Sequence, residues 1–493
     1  MKKKLFSLAV TLVMALSLAV PAMAAGNGSI TVNNAVNGKT YAIYRIFDLK
    51  QVADSGTSAE TAKVSYTIAD KWTGFFKGDE EGVDYIAEDQ CTLKNQIVVD
   101  GVTKWINITE ENVGAFAQDA LDYALKNVIA DDGHQVASGT TVQFTGLDLG
   151  YYMVYPEGAT DITGGNSSIC SLTSTIPAAT VVPKADYPTI DKEVNDADVE
   201  YGQTVTYTIT GQVPDTTGYT EYTYKVKDNM TGLTLTGTYD VKIDGVSIKE
   251  SGHVTGTVPT DGGTSFEMSI DVTEYQAENI GDEIVITYDA TVTAEATIGP
   301  DGNTNNAILI YSTDPDTTTE ATPETVKVYT CQITIDKVDG NEKSKKLDGA
   351  EFALKNSDGK YYKLTDGVVS WVTIAEPTYA NITANATTVT TGNGSWGDGY
   401  AEFKGLQAGE YQLVEIKAPE GYNLLTTPKN VTIEASGDSA HTTVVAQVEN
   451  NTGAVLPGTG GMGTTIFYAV GGTLVAAAAV LLITKKRMHN VED

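Results

Sequence analysis

Residues 204–209 read Thr-Val-Thr-Tyr-Thr-Ile, a strict alternation of polar and apolar side chains. A period of two is typical of a β-strand that turns one face to a core and the other to water. Similar short runs recur between turn residues, and the chain contains 26 tyrosines, which favour strands. The pattern predicts an all-β protein made of sandwiches. Residues 109–130 are the exception, because their apolar side chains recur at helical spacing and predict one amphipathic helix.

An internal repeat links the two ends of this β-rich region. Residues 144–152 (FTGLDLGYY) and 403–411 (FKGLQAGEY) share the pattern F-x-G-L-x-x-G-x-Y. Upstream of each copy lies a strand-like segment, Ile-Thr-Val at 30–32 and Ile-Thr-Ile at 333–335. We therefore expect the first and last parts of the region to be two versions of one sandwich.

Three tandem domains follow from the repeat and from the turn-rich segments between its copies. We expect an N-terminal domain at 26–184, a middle domain of a different sandwich type at 185–328, and a C-terminal domain at 329–452. Pro183 and Pro188 mark the first boundary, and a stretch rich in Thr, Asp and Pro precedes the second. The predicted helix lies in the N-terminal domain.

The N-terminus has the pattern of a secretory signal. Three lysines at 2–4 precede an almost wholly apolar run at 5–20, and Ala22-Met23-Ala24 gives the small-x-small pattern of a signal-peptidase site. This order predicts that residues 1–25 are a signal peptide, which is removed from the mature protein.

The C-terminus carries three features in a fixed order at 456–493. A pentapeptide comes first, consisting of Leu456, Pro457, Gly458, Thr459 and Gly460. An uncharged apolar run at 466–483 follows, long enough to form a transmembrane helix, and a basic tail at 485–487 closes the chain. The arrangement resembles the cell-wall sorting signal of Gram-positive surface proteins, in which a sortase cleaves after the threonine, here Thr459. An ordinary single-pass membrane protein would leave the pentapeptide unexplained.

Composition excludes several classes of function. The net charge is −32 and the pI about 4.4, which argues against nucleic acid as a partner, because phosphate binding needs clustered Lys and Arg. Three cysteines are too few for a disulfide framework. The four histidines show neither metal-ligand spacing nor a partner for a catalytic triad, and no phosphate-binding loop is present. We expect no metal, no cofactor and no enzyme activity beyond self-catalysed bond formation.

Taken together, the chain resembles the major (backbone) pilins of Gram-positive bacteria. The resemblance is carried by the sorting signal, by YQLVEIKAPEGY at 411–422 and by YPTIDK at 187–192. It implies Ig-like sandwiches, with the first and third domains related to the B-type repeat of collagen adhesins. It also implies intramolecular isopeptide bonds between Lys and Asn, each promoted by a neighbouring carboxylic acid.

The C-terminal domain contains a complete set of residues for such a bond. Lys337, Glu415 and Asn450 each continue the apolar face of a predicted strand, because residues i and i+2 share a face. Burial there would lower the pKa of the lysine and raise that of the acid, as the reaction requires. The family motifs place the lysine, the acid and the asparagine at these positions. Asn451 falls on the opposite face and is the weaker candidate.

The middle domain contains a second set. Lys192, Asp228 and Asn305 also continue apolar faces, and Asn303 shares the face of Asn305 and stays an alternative. Each Lys–Asn pair spans 113 residues (305 − 192 and 450 − 337). Any one of these residues alone would be read as a polar residue at a strand end, but two complete sets favour the bond.

The N-terminal domain lacks these residues. Alignment of the two repeats puts Asn34 where Lys337 lies and Pro156 where Glu415 lies. Both the nucleophile and the acid are then missing, so we predict no isopeptide bond in this domain.

Polymerisation requires an amine that accepts the Thr459 acyl group. In the family this amine is the lysine of a Val-x-Tyr-Pro-Lys motif. Residues 180–184 (Thr-Val-Val-Pro-Lys) match this motif in position and in the Pro-Lys ending, but Val182 stands where Tyr is usual and the upstream Trp is absent. The resemblance therefore implies Lys184 as the acceptor. A solvated linker lysine is the alternative.

The resemblance also defines the expected partners and location. We expect neighbouring pilin subunits in a head-to-tail covalent polymer, pilin-polymerising and housekeeping sortases, and peptidoglycan, with accessory pilins and host ligands as further partners. The expected location is a peptidoglycan-anchored pilus on the cell surface. The alternative function is a monomeric wall-anchored adhesin or an accessory pilin, built from the same sandwiches and anchor.

Overall fold

A computed structural model describes twelve segments of the chain, which are residues 26–51, 64–77, 80–87, 96–99, 102–109, 111–160, 168–172, 176–183, 186–393, 397–435, 443–453 and 462–489. The predicted signal peptide, the sorting pentapeptide and Lys184 lie outside these residues. The predicted fold class is confirmed, since the described residues are mostly β-strand. Contacts group the chain into two compact units. One comprises the residues up to Asp196 with Thr204–Thr291 and Thr304–Lys327, and the other comprises Ala197–Gln203, Val292–Asn303 and the residues from Val328 on.

The first part of the chain forms three sheets and one α-helix. Its elements are β1 (Gly28–Asn33), β2 (Thr40–Gln51), β3 (Val64–Ile68), β4 (Ile86–Ala87), β5 (Gln96–Val99), β6 (Val102–Ile106), α1 (Val113–Lys126), β7 (Gly133–Val136), β8 (Thr141–Leu147), β9 (Gly150–Pro156), β10 (Ser168–Leu172) and β11 (Ala178–Val181). The sheet orders are β11-β1-β8, β10-β9-β2-β3 with β7 on β2, and β4-β6-β5. Helix α1 confirms the predicted helix with shorter bounds. Its apolar face, which includes Phe116 and Ala120, packs into an aromatic core with Phe47 and Trp72.

The middle part forms two facing sheets. Its strands are β12 (Asp191–Val194), β13 (Thr204–Gln212), β14 (Tyr224–Met230), β15 (Leu233–Ile243), β16 (Val246–Ser247), β17 (Val254–Thr257), β18 (Ser265–Ile270), β19 (Glu283–Val292), β20 (Asn303–Ser312), β21 (Thr318–Glu320) and β22 (Glu324–Val328). The orders are β12-β13-β19-β15-β16 and β17-β18-β14-β20-β21, with β22 on β20. In β13 the alternation predicted from the sequence is present, because Val205, Tyr207 and Ile209 are buried and the threonines between them are not.

The last part contains two further sheets and two helices. Its elements are β23 (Cys331–Asp339), β24 (Glu351–Asn356), β25 (Tyr361–Thr365), β26 (Val368–Val372), α2 (Tyr379–Asn385), β27 (Thr388–Thr390), β28 (Tyr400–Leu406), β29 (Gly409–Lys417), β30 (Lys429–Ile433), β31 (Thr443–Asn450) and α3 (Met462–His489). The orders are β28-β23-β31 and β26-β25-β24-β29-β30, with β27 on β24. Helix α2 was not predicted. Within α3, Tyr468–Lys485 has a mean hydropathy of 1.7, so its length and composition would let it cross a membrane, as predicted for 466–483.

The internal repeat is visible in the strand pairing. Strand β1 lies parallel to β11 and antiparallel to β8, and β23 lies parallel to β31 and antiparallel to β28. Even the register agrees, because Ile30 faces Phe144 as Ile333 faces Phe403. The domain boundaries at residues 184 and 328 stay a prediction.

Candidate functional site

Three polar side chains meet in the dry interior of the middle sandwich. Lys192 comes from β12 in one sheet, whereas Asp228 and Asn305 come from the neighbouring strands β14 and β20 of the other. The lysine ammonium donates to Asp228 Oδ2 and to Asn305 Oδ1, the latter at 2.8 Å. The side chains of Lys192 and Asp228 have no exposed area, and Asn305 is fully buried. We call these three residues the middle cluster.

Burial shifts the proton equilibria of the middle cluster toward the neutral forms. Desolvation lowers the pKa of Lys192 to about 8, although the nearby Asp228 opposes the shift. Desolvation likewise raises the pKa of Asp228, against the effects of Lys192 and of a hydrogen bond from Tyr288. A neutral amine beside a protonated acid is therefore accessible near neutral pH. That is the protonation state in which an amine can attack an amide carbon.

Tyr288, on β19, is a member of this site that sequence reasoning missed. Its hydroxyl donates to Asp228 Oδ2 at 2.8 Å and accepts from Asn305 Nδ2 at 3.0 Å. The Tyr288 ring stacks on Tyr207, with 5.5 Å between ring centroids, and both rings lie within 5.6 Å of the lysine nitrogen. A tyrosine on an apolar face is ordinary in this sequence, so its pattern gave no signal.

The alternative asparagine has other partners. Asn303 Oδ1 accepts from the backbone N–H of Thr297 at 2.8 Å, and its Nδ2 donates to the carbonyls of Thr297 and Val328. These bonds hold a loop in place. The geometry therefore favours Asn305 as the partner of Lys192.

The C-terminal sandwich holds a second group of the same kind, the C-terminal cluster of Lys337, Glu415 and Asn450. Lys337 on β23 and Asn450 on β31 belong to adjacent parallel strands, and Glu415 reaches them from β29 of the facing sheet. The lysine nitrogen lies 3.8 Å from Glu415 Oε1 and donates to the carbonyl of Val448 at 3.0 Å. Glu415 Oε2 accepts from Asn450 Nδ2 at 3.0 Å. All three residues are buried.

The electrostatics of the C-terminal cluster match those of the middle cluster. Burial lowers the pKa of Lys337 to about 8, with Glu415 opposing the shift, and burial raises the pKa of Glu415. Within the described residues, Glu415 Oε1 and Asn450 Oδ1 are buried without a hydrogen-bond partner, an arrangement that costs free energy. Asn451, the weaker candidate, is exposed.

The corresponding positions of the first part differ. Asn34 follows β1 with a φ of 56°, and Pro156 ends β9 opposite Tyr41. The absence of an isopeptide bond here stays a prediction.

Lys184 and the whole sorting motif, Leu456 to Gly460 with Thr459, lie outside the described residues. No group of three or more His, Cys, Asp or Glu that could hold a metal occurs among the residues that the structure describes. Cys170 and Cys331 carry free thiols, and Cys91 lies outside the described residues.

Comparisons with known proteins agree with this architecture. Residues 331–448 match the family described as the SpaA prealbumin-like fold domain. The trypsin-resistant surface T6 protein of Streptococcus pyogenes serotype M6 is 27% identical over 305 residues, 54% of this chain and 50% of that protein. The chain therefore spans about half the length of this curated relative.

Solved structures of pilus backbone proteins are also similar to this chain. The pilus 2b backbone protein of group B streptococcus is 30% identical and covers 53% of this chain and 98% of its own, with a TM-score of 0.41. The T6 backbone pilin of serotype M6 Streptococcus pyogenes is 22% identical and covers 83% of this chain and 80% of its own, with a TM-score of 0.50. The fold defines a mostly β protein of paired sheets, one part of which matches a pilin-type domain family. Within that class, the chain belongs to the family of major pilins, the backbone proteins of surface pili.

Proposed function

We propose that the chain is the shaft subunit of a covalently polymerised pilus, stabilised by two intramolecular isopeptide bonds, Lys192–Asn305 and Lys337–Asn450. The observation that carries the proposal is the presence of two buried clusters, each with a lysine, an acid and an asparagine in hydrogen-bond or ion-pair contact. Buried ion pairs are costly to desolvate, and apolar residues in their place are often neutral or stabilising, which favours a chemical role for the two clusters.

The chemistry of each bond is complete within its cluster. The neutral lysine nitrogen attacks Cγ of the asparagine, the new C–N bond replaces the C–Nδ2 bond, and ammonia leaves. One proton must pass from the lysine nitrogen to the departing nitrogen, and the acid, Asp228 or Glu415, carries it. No cofactor and no other reactant is required.

The two bonds give the folded chain covalent reinforcement. By the loop-entropy estimate, a cross-link that closes about 100 residues stabilises a fold by roughly 4–5 kcal/mol. The middle bond would join opposite sheets, and the C-terminal bond would join two adjacent strands of one sheet. A protein with few cysteines gains from these bonds what disulfides give other exported proteins.

Assembly follows from the sorting signal. After export, a pilin-polymerising sortase would cleave after Thr459 and transfer its acyl group to Lys184 of the next subunit. A housekeeping sortase would finally attach the polymer to peptidoglycan. Each subunit then contributes one donor and one acceptor, which gives an open head-to-tail chain.

Intact-mass spectrometry of the purified ectodomain, together with electrophoresis of cell-wall extracts, tests the proposal. We expect a mass two ammonia molecules below that of the sequence and a ladder of multimers that resists SDS. An unmodified mass would contradict the bonds. A single wall-attached species without a ladder would instead support the alternative, a monomeric wall-anchored adhesin or an accessory pilin.

A further inference from the structure

The two clusters differ in how the acid reaches the leaving nitrogen. In the C-terminal cluster, Glu415 Oε2 accepts directly from Asn450 Nδ2 at 3.0 Å. In the middle cluster the acid is Asp228, one methylene shorter, and its hydrogen-bond partners in the structure are Lys192 and Tyr288. The connection from Asp228 to Asn305 Nδ2 passes through the Tyr288 hydroxyl, by bonds of 2.8 and 3.0 Å.

We propose that Tyr288 is a catalytic residue of isopeptide formation in the middle sandwich, where its hydroxyl relays the proton from Asp228 to the departing nitrogen of Asn305. The inference rests on the proposed Lys192–Asn305 bond. As the neutral lysine nitrogen of Lys192 attacks Cγ of Asn305, the Tyr288 hydroxyl gives its own proton to Nδ2 and recovers one from the protonated Asp228. The Asp228 carboxylate formed in this way takes a proton from the lysine nitrogen. The C–Nδ2 bond breaks, ammonia leaves, and Asp228 and Tyr288 return to their starting states.

The surroundings of Tyr288 suit a relay. Its side chain is 1% exposed, so bulk water cannot replace the hydroxyl. The ring is fixed between Tyr207, stacked at 5.5 Å, and Phe266, edge-on at 5.0 Å. Burial and the neighbouring Asp228 raise the pKa of Tyr288 well above its usual value, so the hydroxyl keeps the proton that it must donate.

Removal of this one oxygen tests the relay. Tyr288→Phe keeps the ring and its packing, and we expect the Lys192–Asn305 bond to form about a hundredfold more slowly or more, the range of general acid–base assistance. Tyr224→Phe is the matched control, because Tyr224 is equally buried in the same sandwich and its hydroxyl has no hydrogen-bond partner within the described residues. We expect the control to react at the wild-type rate.

The measurement is a time course after cell-free synthesis of the ectodomain, with the cross-linked peptides of each sandwich quantified by mass spectrometry after digestion. The Lys337–Asn450 bond in the same molecules serves as an internal standard and should form at the same rate in all variants. Far-UV circular dichroism verifies that each variant folds.

A second variant separates a relay from a packing effect. In the double variant Asp228→Glu, Tyr288→Phe, the longer acid can reach Nδ2 directly, as Glu415 does, so we expect the fast reaction to return. A double variant as slow as Tyr288→Phe would assign the loss to packing and overturn the relay.

The remaining outcomes are distinct. Wild-type protein that forms the middle bond, with Tyr288→Phe equally fast, would overturn the relay and leave the proposed function intact. Wild-type protein without a Lys192–Asn305 cross-link would overturn the proposed bond itself, and the relay with it.

Discussion

At the scale of single residues, the two lysines proposed to react are both desolvated. Lys192 and Lys337 have fully buried side chains, and in each case burial is the largest cause of the lowered pKa. An exposed lysine keeps its proton at neutral pH and cannot attack an amide. The acids supply the counterpart, since burial raises the pKa of Asp228 and of Glu415. Reactivity is therefore a property of the packed core around these side chains.

Removal of one acid should abolish one bond. For Glu415→Ala we expect an intact mass below that of its own sequence by one ammonia, where wild type is below its sequence by two, and a loss of roughly 4–5 kcal/mol in unfolding free energy, the loop-entropy contribution of the bond. The matched control is Glu410→Ala, an exposed carboxylate on the same strand, β29. Mass spectrometry and thermal unfolding provide the two readouts. A Glu415→Ala mass that is still two ammonia molecules below its own sequence would contradict the role assigned to this acid.

A variant that cannot form the bond should reveal the buried amine through its pH dependence. In Asn450→Ala, Lys337 stays an amine whose pKa is lowered from 10.5 to about 8 by burial. Between pH 8 and 10.5 the unfolded chain then binds more protons than the folded chain, so the unfolding free energy should rise with pH in this window. Denaturant titrations at several pH values measure the effect. In wild type the proposed bond would convert the lysine into an amide, so this rise should be absent. Equal pH dependence of the unfolding free energy in wild type and variant would contradict the prediction.

At the scale of strands and helices, much of the site could be predicted from periodicity. Lys337, Glu415 and Asn450 were found because residues i and i+2 share a strand face and the apolar neighbours define the buried one. The same argument could not separate Asn303 from Asn305, which share a face. Only the hydrogen bonds of the two amides separate them, and these depend on strand pairing between distant segments.

Two features of the structure, helix α2 and the position of Tyr288, could not be predicted from the sequence. Helix α2 is seven residues long, too short for an apolar period to stand out, and buries only Ile382. Tyr288 continues the apolar face of β19 with Ile284, Ile286 and Ala290, as any packed tyrosine would. Its role depends on a hydroxyl that meets residues of the opposite sheet, which no local pattern contains.

The strands of the first part should be the least resistant to proteolysis. They repeat the pairing of the C-terminal sandwich, but the residues proposed to form its bond are replaced at the aligned positions. If no bond forms there, packing alone opposes their opening. We expect limited proteolysis to cleave within residues 26–180 before the rest of the chain, as followed by mass spectrometry of the fragments. Lys337→Ala is the control and should add early cleavage after residue 329. First cleavage of the middle or C-terminal sandwich in wild type would disagree with the assignment of the two bonds.

At the scale of the whole molecule, polymerisation should depend on a single lysine. For Lys184→Ala we expect loss of the high-molecular-weight ladder on the cell surface while the monomer stays folded, because the residue lies in a linker of the sequence. Lys126→Ala is the control, since Lys126 is an exposed lysine in the last turn of α1. Immunoblots of wall extracts give the readout. A full ladder from the Lys184→Ala strain would assign the reaction to another amine.

The position of Lys192 and Asn305 near the two ends of the middle sandwich also determines how far a subunit can stretch. The two residues are 113 positions apart, and strands β12 to β20 lie on or between them. An unfolded chain of that length would extend by about 370–410 Å under tension. With the proposed bond in place, a pulling force would pass directly from β12 to β20, and the residues between them would not be extended. A pilus of many such subunits would behave as a nearly inextensible tether. A pulling force at its tip would then reach the cell wall without lengthening the pilus.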